Sequence, residues 1–391
     1  MSILFLYNEA INPKVGGVEK ITYLLANYFE LKGFKVYFIS GFNKYPTNDI
    51  RQFFLPDISS FNTQKNIDFF IKFIQENNIK IVINQGGTNP EISKLAFNAS
   101  TAGAKLITAI HNSLLANIIH YAESHKVSFK QKRIGFLLPL IDLRPIKALL
   151  LFIYKIKYSK HYKDVYTNSN YIVLESNQYK SELNFLIGNL DLDKVLGIFN
   201  PIQLNDAIYI NKTKELLYVG RINTSQKRVD LLMMIWSKLC IKYPDWRLNI
   251  VGGGDELESI QELSKKLKLE NIAFWGFQDP QPFYNSASIF CMTSSFEGLP
   301  MTLLEAMQNG LVPIAFDSFL SISDIINDNV NGFLVEPFNV ESYVTTVEKL
   351  MTNINLREQC SDAAREKSKI FDLSVVGEEW VAVFKNLSIP V

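Results

Sequence analysis

Short apolar runs alternating with longer segments of helical periodicity constrain the fold of this chain more than any other feature. The runs are rich in Ile, Val and Phe, and such alternation is typical of parallel sheets covered by helices. A first helix is expected at about Val18–Phe29, where the apolar positions share one face. We predict an α/β fold with strands at Ile3–Tyr7, Lys35–Ser40, Ile79–Asn84, Lys105–Ile110, Val165–Thr167, Glu215–Val219, Arg247–Val251, Ile272–Trp275, Ile289–Met292 and Val312–Ala315.

The length of 391 residues predicts two domains, because it exceeds what one ordinary hydrophobic core needs. A composition of 47% hydrophobic and 20% charged residues is that of a folded soluble protein. Periodicity is lost around Phe199–Lys214, which is rich in Asn and contains Pro201, and a new strand follows. We therefore expect one domain over 1–203 and a second over 204–371, followed by an amphipathic helix at Ser374–Asn386.

Cysteine usage and hydropathy favour a cytoplasmic protein. The cysteines are widely spaced and form no metal-binding cluster, which fits a reducing compartment; they are Cys240, Cys291 and Cys360. Met1 leads directly into an apolar strand, without the basic and apolar regions of a secretion signal. The most apolar internal run, Ile146–Ile153, falls short of the ~20 residues that a membrane-spanning helix needs.

Candidate ligand-binding residues in the first domain follow predicted strands. In open parallel sheets, ligands bind beyond the carboxyl ends of the strands, where helix N-termini favour anions. Gly16 and Gly17 open a helix after the first strand, and glycines let the backbone approach a phosphate closely. His111 follows the strand Lys105–Ile110. A simple tight turn and a hydrogen-bonded structural histidine are the alternative interpretations.

In the second domain, Arg221 and Lys227 follow the strand Glu215–Val219. Two cations at one strand end suit a pyrophosphate, although a solvated turn is an equal alternative. The next strand leads into a triple glycine at 252–254, with Asp255 as the expected N-cap of the following helix. The triple glycine lacks the dinucleotide fingerprint because position 257 is leucine, so a packing turn is favoured and an oxidoreductase is not.

The most informative segment runs from Ser294 to Met307. Glu297 lies in the loop after a strand, Pro300 suits the first turn of the next helix, and Glu305 lies about five residues into that helix, roughly 8 Å along its axis. Carboxylates accept hydrogen bonds from paired sugar hydroxyls. A pyrophosphate at this helix N-terminus would have one carboxylate near a transferred sugar and the other near a ribose.

A DxD sequence at Asp191–Asp193 has the form of a metal site, but it follows a polar loop rather than an apolar strand. The histidines show no metal-ligand spacing. We therefore predict neither a bound metal nor a cofactor.

Taken in order, these motifs resemble the retaining glycosyltransferases of family 4, the group 1 glycosyltransferases with the GT-B fold. The likeness runs along the whole chain through GGVEK, HN, FNPI, YVGRINTSQKRVD, VGGGDEL, SSFEGLPMTLLEAM and NGFLVEP. It implies two Rossmann-like parallel-sheet domains that face each other across a cleft. The first would bind the acceptor and the second the nucleotide sugar, and a C-terminal helix at 372–391 would pack back on the first.

The resemblance also implies roles for individual residues. Arg221 and Lys227 would bind the donor diphosphate, Glu297 the donor sugar and Glu305 the ribose, with His111 beside the sugar. Because Pro300 has no N–H, backbone contacts to phosphate would come from its neighbours in the same loop and helix. The further donor-binding residues implied are Gly16, Gly17, Gly253, Phe277, Ser294, Gly298, Leu299, Met301 and Thr302.

The resemblance implies transfer of a hexosyl residue from a nucleotide diphosphate sugar to a saccharide acceptor, with retention of the anomeric configuration. The acceptor would be lipid-linked, and the reaction would belong to surface polysaccharide biosynthesis. A UDP-sugar is favoured as the donor, with a GDP-sugar as the alternative. The leaving phosphate would help to deprotonate the acceptor, and cations with a helix dipole would supply the catalysis without a metal. A nucleotide-sugar epimerase and a noncatalytic partner subunit are the rival interpretations.

The stretch 126–163 is rich in Lys and Arg interleaved with apolar residues, and Asp142 is its one acidic residue. Anionic lipid attracts such segments by ~1 kcal/mol per basic residue. We expect either peripheral docking on the inner face of a membrane or a helical pair with an ordinary solvated basic face. No nucleic-acid-binding motif is present.

Overall fold

The computed structural model of the protein describes residues 1–43, 47–119, 143–188, 190–204 and 212–387. Its backbone contacts divide the chain into two compact units. The first unit takes in Met1–Leu114, Phe152–Gln203 and the residues from Phe371 onward, and the second takes in Leu115–Leu151 and Leu204–Ile370, as far as these ranges are described.

Both units are built around parallel sheets. The first sheet has the order β3-β2-β1-β4-β5-β6-β7, and the second has the order β10-β9-β8-β11-β12-β13. The strands of the first are β1 (Ser2–Glu9), β2 (Lys35–Phe42), β3 (Gln52–Phe54), β4 (Ile79–Asn84), β5 (Lys105–Ile110), β6 (Tyr171–Leu174) and β7 (Val195–Gly197). Those of the second are β8 (Glu215–Val219), β9 (Arg247–Val251), β10 (Ile272–Phe274), β11 (Ile289–Met292), β12 (Val312–Phe316) and β13 (Phe333–Val335).

Helices connect the strands, as parallel pairing requires. In chain order the first six are α1 (Gly17–Leu31), α2 (Gln64–Glu76), α3 (Pro90–Ala96), α4 (Ala116–Ile119), α5 (Arg144–Asn168) and α6 (Lys180–Ile187). They continue with α7 (Val229–Leu239), α8 (Leu257–Lys266), α9 (Gln281–Ser286), α10 (Met301–Gln308), α11 (Ile322–Ile325), α12 (Val340–Thr352), α13 (Ile354–Ser368) and α14 (Leu373–Asn386). None of the described helices combines the length and apolar character needed to cross a bilayer.

The strand order fixes where each unit can bind a ligand. In each sheet the order reverses between two central strands, β1 and β4 in the first and β8 and β11 in the second. Ligands of open parallel sheets bind at such reversals, outside the carboxyl ends of the strands. The loops that follow β8 and β11 are those that carry Lys227 and Glu297.

The C-terminal helix α14 packs on α1 within the first unit. Tyr28 donates a hydrogen bond to Oε1 of Glu378 (2.6 Å), and the rings of Phe29 and Phe384 meet edge to face with centroids 5.0 Å apart. Gly377 makes this approach close, because a Cβ there would lie 2.4 Å from the ring of Tyr28.

One predicted strand is wrong. Val165–Thr167 belongs to the last turn of α5, and the strand follows at Tyr171–Leu174. Tyr162 and Val165, three positions apart, are the buried residues of α5, which is a helical rather than a strand spacing. The short strands β3, β7 and β13 were not predicted.

Candidate functional site

In the second unit, the loops after β8 and β11 are held together by hydrogen bonds. The backbone N–H of Ser295 donates to the carbonyl of Gln226 (2.7 Å), and its hydroxyl donates to that of Ser225 (2.9 Å). Thr293 donates its hydroxyl to the carbonyl of Lys227 (2.9 Å). These contacts fix the backbone on which the predicted cation and the first predicted carboxylate are carried.

Lys227 and Glu297 form an ion pair at the centre of this arrangement. Nζ of Lys227 lies 2.5 Å from Oε1 of Glu297, which also accepts from the hydroxyl of Ser294 (2.6 Å). Glu297 is only 6% exposed. Asn223 shapes the loop, because its side-chain oxygen accepts from the backbone N–H groups of Gln226 (3.0 Å) and Lys227 (2.8 Å). A cation and a carboxylate predicted separately are therefore in direct contact.

The triple-glycine turn supports the loop that carries Arg221. Gly252 has φ of +135°, and a Cβ there would lie 1.9 Å from the carbonyl oxygen of Gly220. A Cβ on Gly254 would lie 2.5 Å from the carbonyl oxygen of Ile222. The backbone N–H of Ile222 donates to the carbonyl of Gly253 (2.8 Å). These glycines allow two backbone segments to touch, as the packing interpretation expected.

The expected N-cap at Asp255 is wrong. The helix α8 begins at Leu257 and its N-cap is Glu256, without a side-chain capping bond. Glu256 instead accepts the backbone N–H of Thr224 (3.0 Å), so it also holds the loop between Arg221 and Lys227. The sequence alone does not show which of two adjacent acidic residues, Asp255 or Glu256, is the N-cap of the helix.

The helix α10 has its N-terminus directly after the Glu297 loop. Pro300 is the N-cap, one position before the first turn where it was predicted, and α10 begins at Met301. The N–H groups of Met301 and Thr302, at the start of the helix, have no intrahelical acceptor and are suited to an anion. The hydroxyl of Ser321 donates to the carbonyl of Gly298 and helps to fix this loop.

Glu305 lies on α10, one turn further along. Oε2 of Glu305 accepts from the hydroxyl of Tyr284 (3.0 Å), and Tyr284 is almost fully buried. Burial raises the pKa of Tyr284 well above its ordinary value, so the phenol keeps its proton and remains a donor. Tyr284 was not predicted, because a tyrosine in a short helix is normally a core residue.

Three further predicted residues, Arg221, Gly253 and Phe277, follow the carboxyl ends of the neighbouring strands β8, β9 and β10. Arg221 is exposed, and its carbonyl accepts from the hydroxyl of Tyr218 (2.7 Å). Phe277 follows β10 with 82% of its surface exposed, and a Cβ on Gly253 would lie 3.9 Å from that of Phe277. An exposed aromatic ring next to bare backbone is suited to a planar base.

In the first unit, Gly16 is the N-cap of α1 and Gly17 is its first residue. A Cβ on Gly16 would lie 2.3 Å from the carboxylate of Glu19, so the buried Glu19 side chain packs directly against the Gly16 backbone. Burial raises the pKa of the Glu19 carboxyl, an effect partly opposed by its backbone hydrogen bond and by His111.

His111 lies at the end of β5 with both ring nitrogens engaged. Its Nε2 is 2.6 Å from Oε1 of Gln85, and its Nδ1 is 3.3 Å from Oε1 of Glu175. The ring is therefore held within the first unit. Neither Gln85 nor Glu175 was predicted: Gln85 was passed over at its strand end, and Glu175 did not appear at a strand end because the preceding strand was predicted at Val165–Thr167.

Among the residues that the structure describes, no group of three His, Cys, Asp or Glu side chains could hold a metal ion. Asp191 and Asp193 are exposed, and Oδ1 of Asp191 accepts the backbone N–H of Asp193 (3.0 Å). The DxD sequence therefore forms a local turn.

The family model for glycosyl transferases group 1 matches residues 205–367, which contain the Lys227 and Glu297 site. An uncharacterized glycosyltransferase of Haemophilus influenzae is 35% identical over 195 residues, which cover 49% of this chain and 55% of the relative. The lipopolysaccharide 1,6-galactosyltransferase of Escherichia coli is 34% identical over 163 residues, or 39% of this chain and 45% of the relative. The chain thus spans about half the length of the curated relatives it matches. The second unit is thus similar to group 1 glycosyltransferases over residues 205–367.

Solved structures match the whole chain. The lipopolysaccharide outer core galactosyltransferase WaaB is 20% identical with a TM-score of 0.70, covering 99% of this chain and 100% of that one. A glycosyltransferase from Rickettsia africae is also 20% identical, with a TM-score of 0.73 and 100% of this chain and 99% of that one covered. The predicted fold class, two parallel-sheet α/β domains of the GT-B type, is confirmed.

Proposed function

We propose that this protein transfers a hexosyl residue from a nucleotide diphosphate sugar to a saccharide acceptor in the synthesis of a surface polysaccharide. Curated relatives supply the context: they include the galactosyltransferase of lipopolysaccharide and the amylovoran biosynthesis glycosyltransferase AmsD of Erwinia amylovora. The acceptor is a saccharide carried on a lipid.

The contact between Lys227 and Glu297, next to the N-terminus of α10, carries the proposal. It places a cation, a carboxylate and free helix N–H groups at the ends of two adjacent strands, where a sugar diphosphate needs all three. Arg221 and Lys227 bind the diphosphate, Glu297 binds the sugar hydroxyls and Glu305 binds the ribose. Gly253 and Phe277 flank the base; in the first unit, the proposed donor-binding residues are His111, beside the sugar, and the Gly16–Gly17 loop.

The same residues supply the chemistry of a retaining, metal-independent transfer. As the bond to the sugar breaks, negative charge grows on the leaving diphosphate, and Lys227 and the α10 N-terminus are fixed in place before that happens. The diphosphate oxygen takes the proton from the acceptor hydroxyl on the same face of the sugar. Glu297 can exchange Lys227 for sugar hydroxyls when the donor arrives, because a carboxylate accepts several hydrogen bonds.

UDP is the nucleotide we favour, with GDP as the alternative. Structural neighbours include the pneumococcal O-GlcNAc transferase GtfA in complex with UDP and GlcNAc, and Anabaena HepE in complex with UDP. Thermal unfolding in the presence of UDP- and GDP-sugars tests the choice, because a ligand that binds only the folded state raises the midpoint. Stabilisation by no nucleotide sugar would contradict the proposal.

Product analysis separates transfer from the rival functions. An epimerase converts the donor without an acceptor, whereas a transferase consumes it only when an acceptor is present. A noncatalytic subunit binds the donor and consumes it in neither case. Donor loss measured with and without a lipid-linked saccharide therefore discriminates the three.

We further propose a peripheral position on the inner face of a membrane. In α5, the side chains of Leu149, Phe152, Ile153 and Ile156 share one face and are 56%, 58%, 52% and 65% exposed. Lysines at 147, 155, 157 and 160 lie on the same helix, which suits an anionic lipid surface. The part of the predicted basic stretch over 126–142 lies outside the described residues.

Co-sedimentation with vesicles tests this surface. Vesicles containing anionic lipid should pellet the protein at low salt, and a variant with Phe152→Ser and Ile156→Ser should stay in the supernatant. Vesicles of neutral lipid are the control. Equal pelleting of the two proteins, or none at all, would rule out this face as the contact.

A further inference from the structure

Three neighbouring strands of the first sheet end in polar residues that converge. Gln85 directly follows β4, His111 directly follows β5 and Glu175 directly follows β6. Adjacent parallel strands end at the same edge of a sheet, so residues in this position are brought together. Asn200 joins them from the segment after β7.

The four side chains form one chain of hydrogen bonds. Oε1 of Glu175 accepts from Nδ2 of Asn200 (2.6 Å) and faces Nδ1 of His111 (3.3 Å), while Nε2 of His111 meets the Gln85 amide (2.6 Å). Glu175 is 6% and Gln85 2% exposed. The imidazole is thus held from both sides by residues that are themselves almost completely buried.

The chemistry of the partners determines which ring nitrogen carries a proton. An ionised carboxylate only accepts hydrogen bonds, so Nδ1 must donate in its contact with Glu175. Nε2 meets an amide, which can present either its oxygen or its nitrogen. The contact with the Glu175 carboxylate therefore determines that Nδ1 carries a proton, whereas the contact with the Gln85 amide does not determine the protonation of Nε2.

The surroundings of this carboxylate strengthen the contact. Oε2 of Glu175 and Nε2 of Gln85 have no protein partner among the described residues. Both residues line a small cavity, together with Ile21, Leu25 and Trp380. Apolar walls lower the local dielectric, which strengthens a hydrogen bond to a charged group. A carboxylate that served only to bind Asn200 would not need to face the histidine.

We propose that Glu175 is a positioning residue for His111: it keeps a proton on Nδ1 and holds the ring so that Nε2 is left as the nitrogen that can accept a hydrogen bond from a substrate hydroxyl. This inference rests on the proposed role of His111 beside the donor sugar. Gln85 occupies Nε2 in the described state and is the group that a hydroxyl would replace.

Two-bond nitrogen–proton NMR of ¹⁵N-histidine-labelled full-length protein tests the inference without a turnover assay. His111, assigned by comparison with His111→Asn, should carry a proton on Nδ1 in the wild type, and Glu175→Ala should remove that preference. Glu182→Gln is the matched control: it alters another buried carboxylate of the first unit, which binds Ser113 and the Leu114 amide instead. A bare Nδ1 in the wild type, or an unchanged proton position in Glu175→Ala, would overturn the proposal.

A kinetic arm separates positioning from folding. Glu175→Ala should lower kcat about ten- to a hundredfold, as expected for losing a hydrogen bond to a charged group, with a smaller change in donor KM. Glu175→Gln, which keeps an acceptor at the same place, should restore folding and part of kcat; if it lost as much kcat as Glu175→Ala, orientation would not be the role. Unchanged turnover in His111→Ala would instead remove the role of His111 from the proposed function, while leaving the NMR result intact.

Discussion

Replacing Lys227 with methionine removes one ammonium group and keeps the length of the side chain. Nζ of Lys227 lies 2.5 Å from Oε1 of a largely buried Glu297, so the cation is fixed before any donor binds. Losing one preorganised donor lowers turnover by about ten- to a thousandfold. This corresponds to about 1.4–4 kcal/mol of transition-state stabilisation. Coulomb attraction between unit charges 4 Å apart gives about 4 kcal/mol near a protein surface, which is the upper end of that range.

The variant also leaves Glu297 without its cation, and this effect must be separated from catalysis. A second substitution, Glu297→Gln, removes the uncompensated charge. The double variant should recover thermal stability relative to Lys227→Met, while its turnover stays low because the diphosphate still lacks the Lys227 ammonium group and keeps only Arg221. Release of nucleotide diphosphate in a coupled assay measures turnover, and calorimetric unfolding measures stability. Turnover within about twofold of the wild type in Lys227→Met, or restored turnover in the double variant, would refute the reasoning.

Three further changes have defined outcomes. Gly252→Ala should lower the thermal midpoint, because the added Cβ would lie 1.9 Å from the Gly220 carbonyl oxygen. Gly17→Ala should leave the midpoint unchanged, because a Cβ there meets nothing within 4 Å. Equal midpoints in the two variants would contradict the close approach at Gly252. Tyr284→Phe should weaken nucleotide binding about fivefold to thirtyfold, since Glu305 loses a hydrogen bond of 3.0 Å, and unchanged affinity by calorimetry would show that Glu305 does not depend on it. Glu19→Gln should stabilise the protein at neutral pH, because burial raises the pKa of this carboxyl and so disfavours its charged form in the folded state. The stability that the Glu19 carboxyl contributes is fully present below its pKa in the unfolded chain, and it is lost as the pH rises through its pKa in the folded protein. Unfolding scans from acid to neutral pH should therefore show the thermal midpoints of the wild type and Glu19→Gln converging at low pH. A constant difference between the two midpoints would argue against a raised pKa of Glu19.

Most of the fold is predictable because its long strands are buried on both faces. The strands β4, β5, β8, β9 and β11 lie where the apolar runs predicted them. The three-residue strands β3, β7 and β13 are too short to show a period, and only pairing with a longer neighbour defines them. Val165 was assigned to a strand because a short apolar run gives the same signal in a buried helix turn.

The sequence predicted individual residues of the site, but it did not predict which of them contact each other. Strand-end position singles out Lys227 and Glu297, whereas their distance depends on how Asn223 and Ser295 fasten the two loops. Glu175 was missed for a specific reason: with the strand placed too early, this residue did not appear at a strand end. Correct placement of β6 would have put it beside His111.

The central claim is that the second unit binds a nucleotide diphosphate sugar through its strand-end cations and the two carboxylates. Calorimetric titration of the full chain with UDP and with UDP-sugars measures this directly. The account predicts one saturable site that weakens about ten- to a hundredfold in both Arg221→Ala and Glu305→Ala, the loss expected for hydrogen bonds to charged groups. Binding of equal strength in those variants, or no binding of any uridine or guanosine diphosphate sugar, would contradict it.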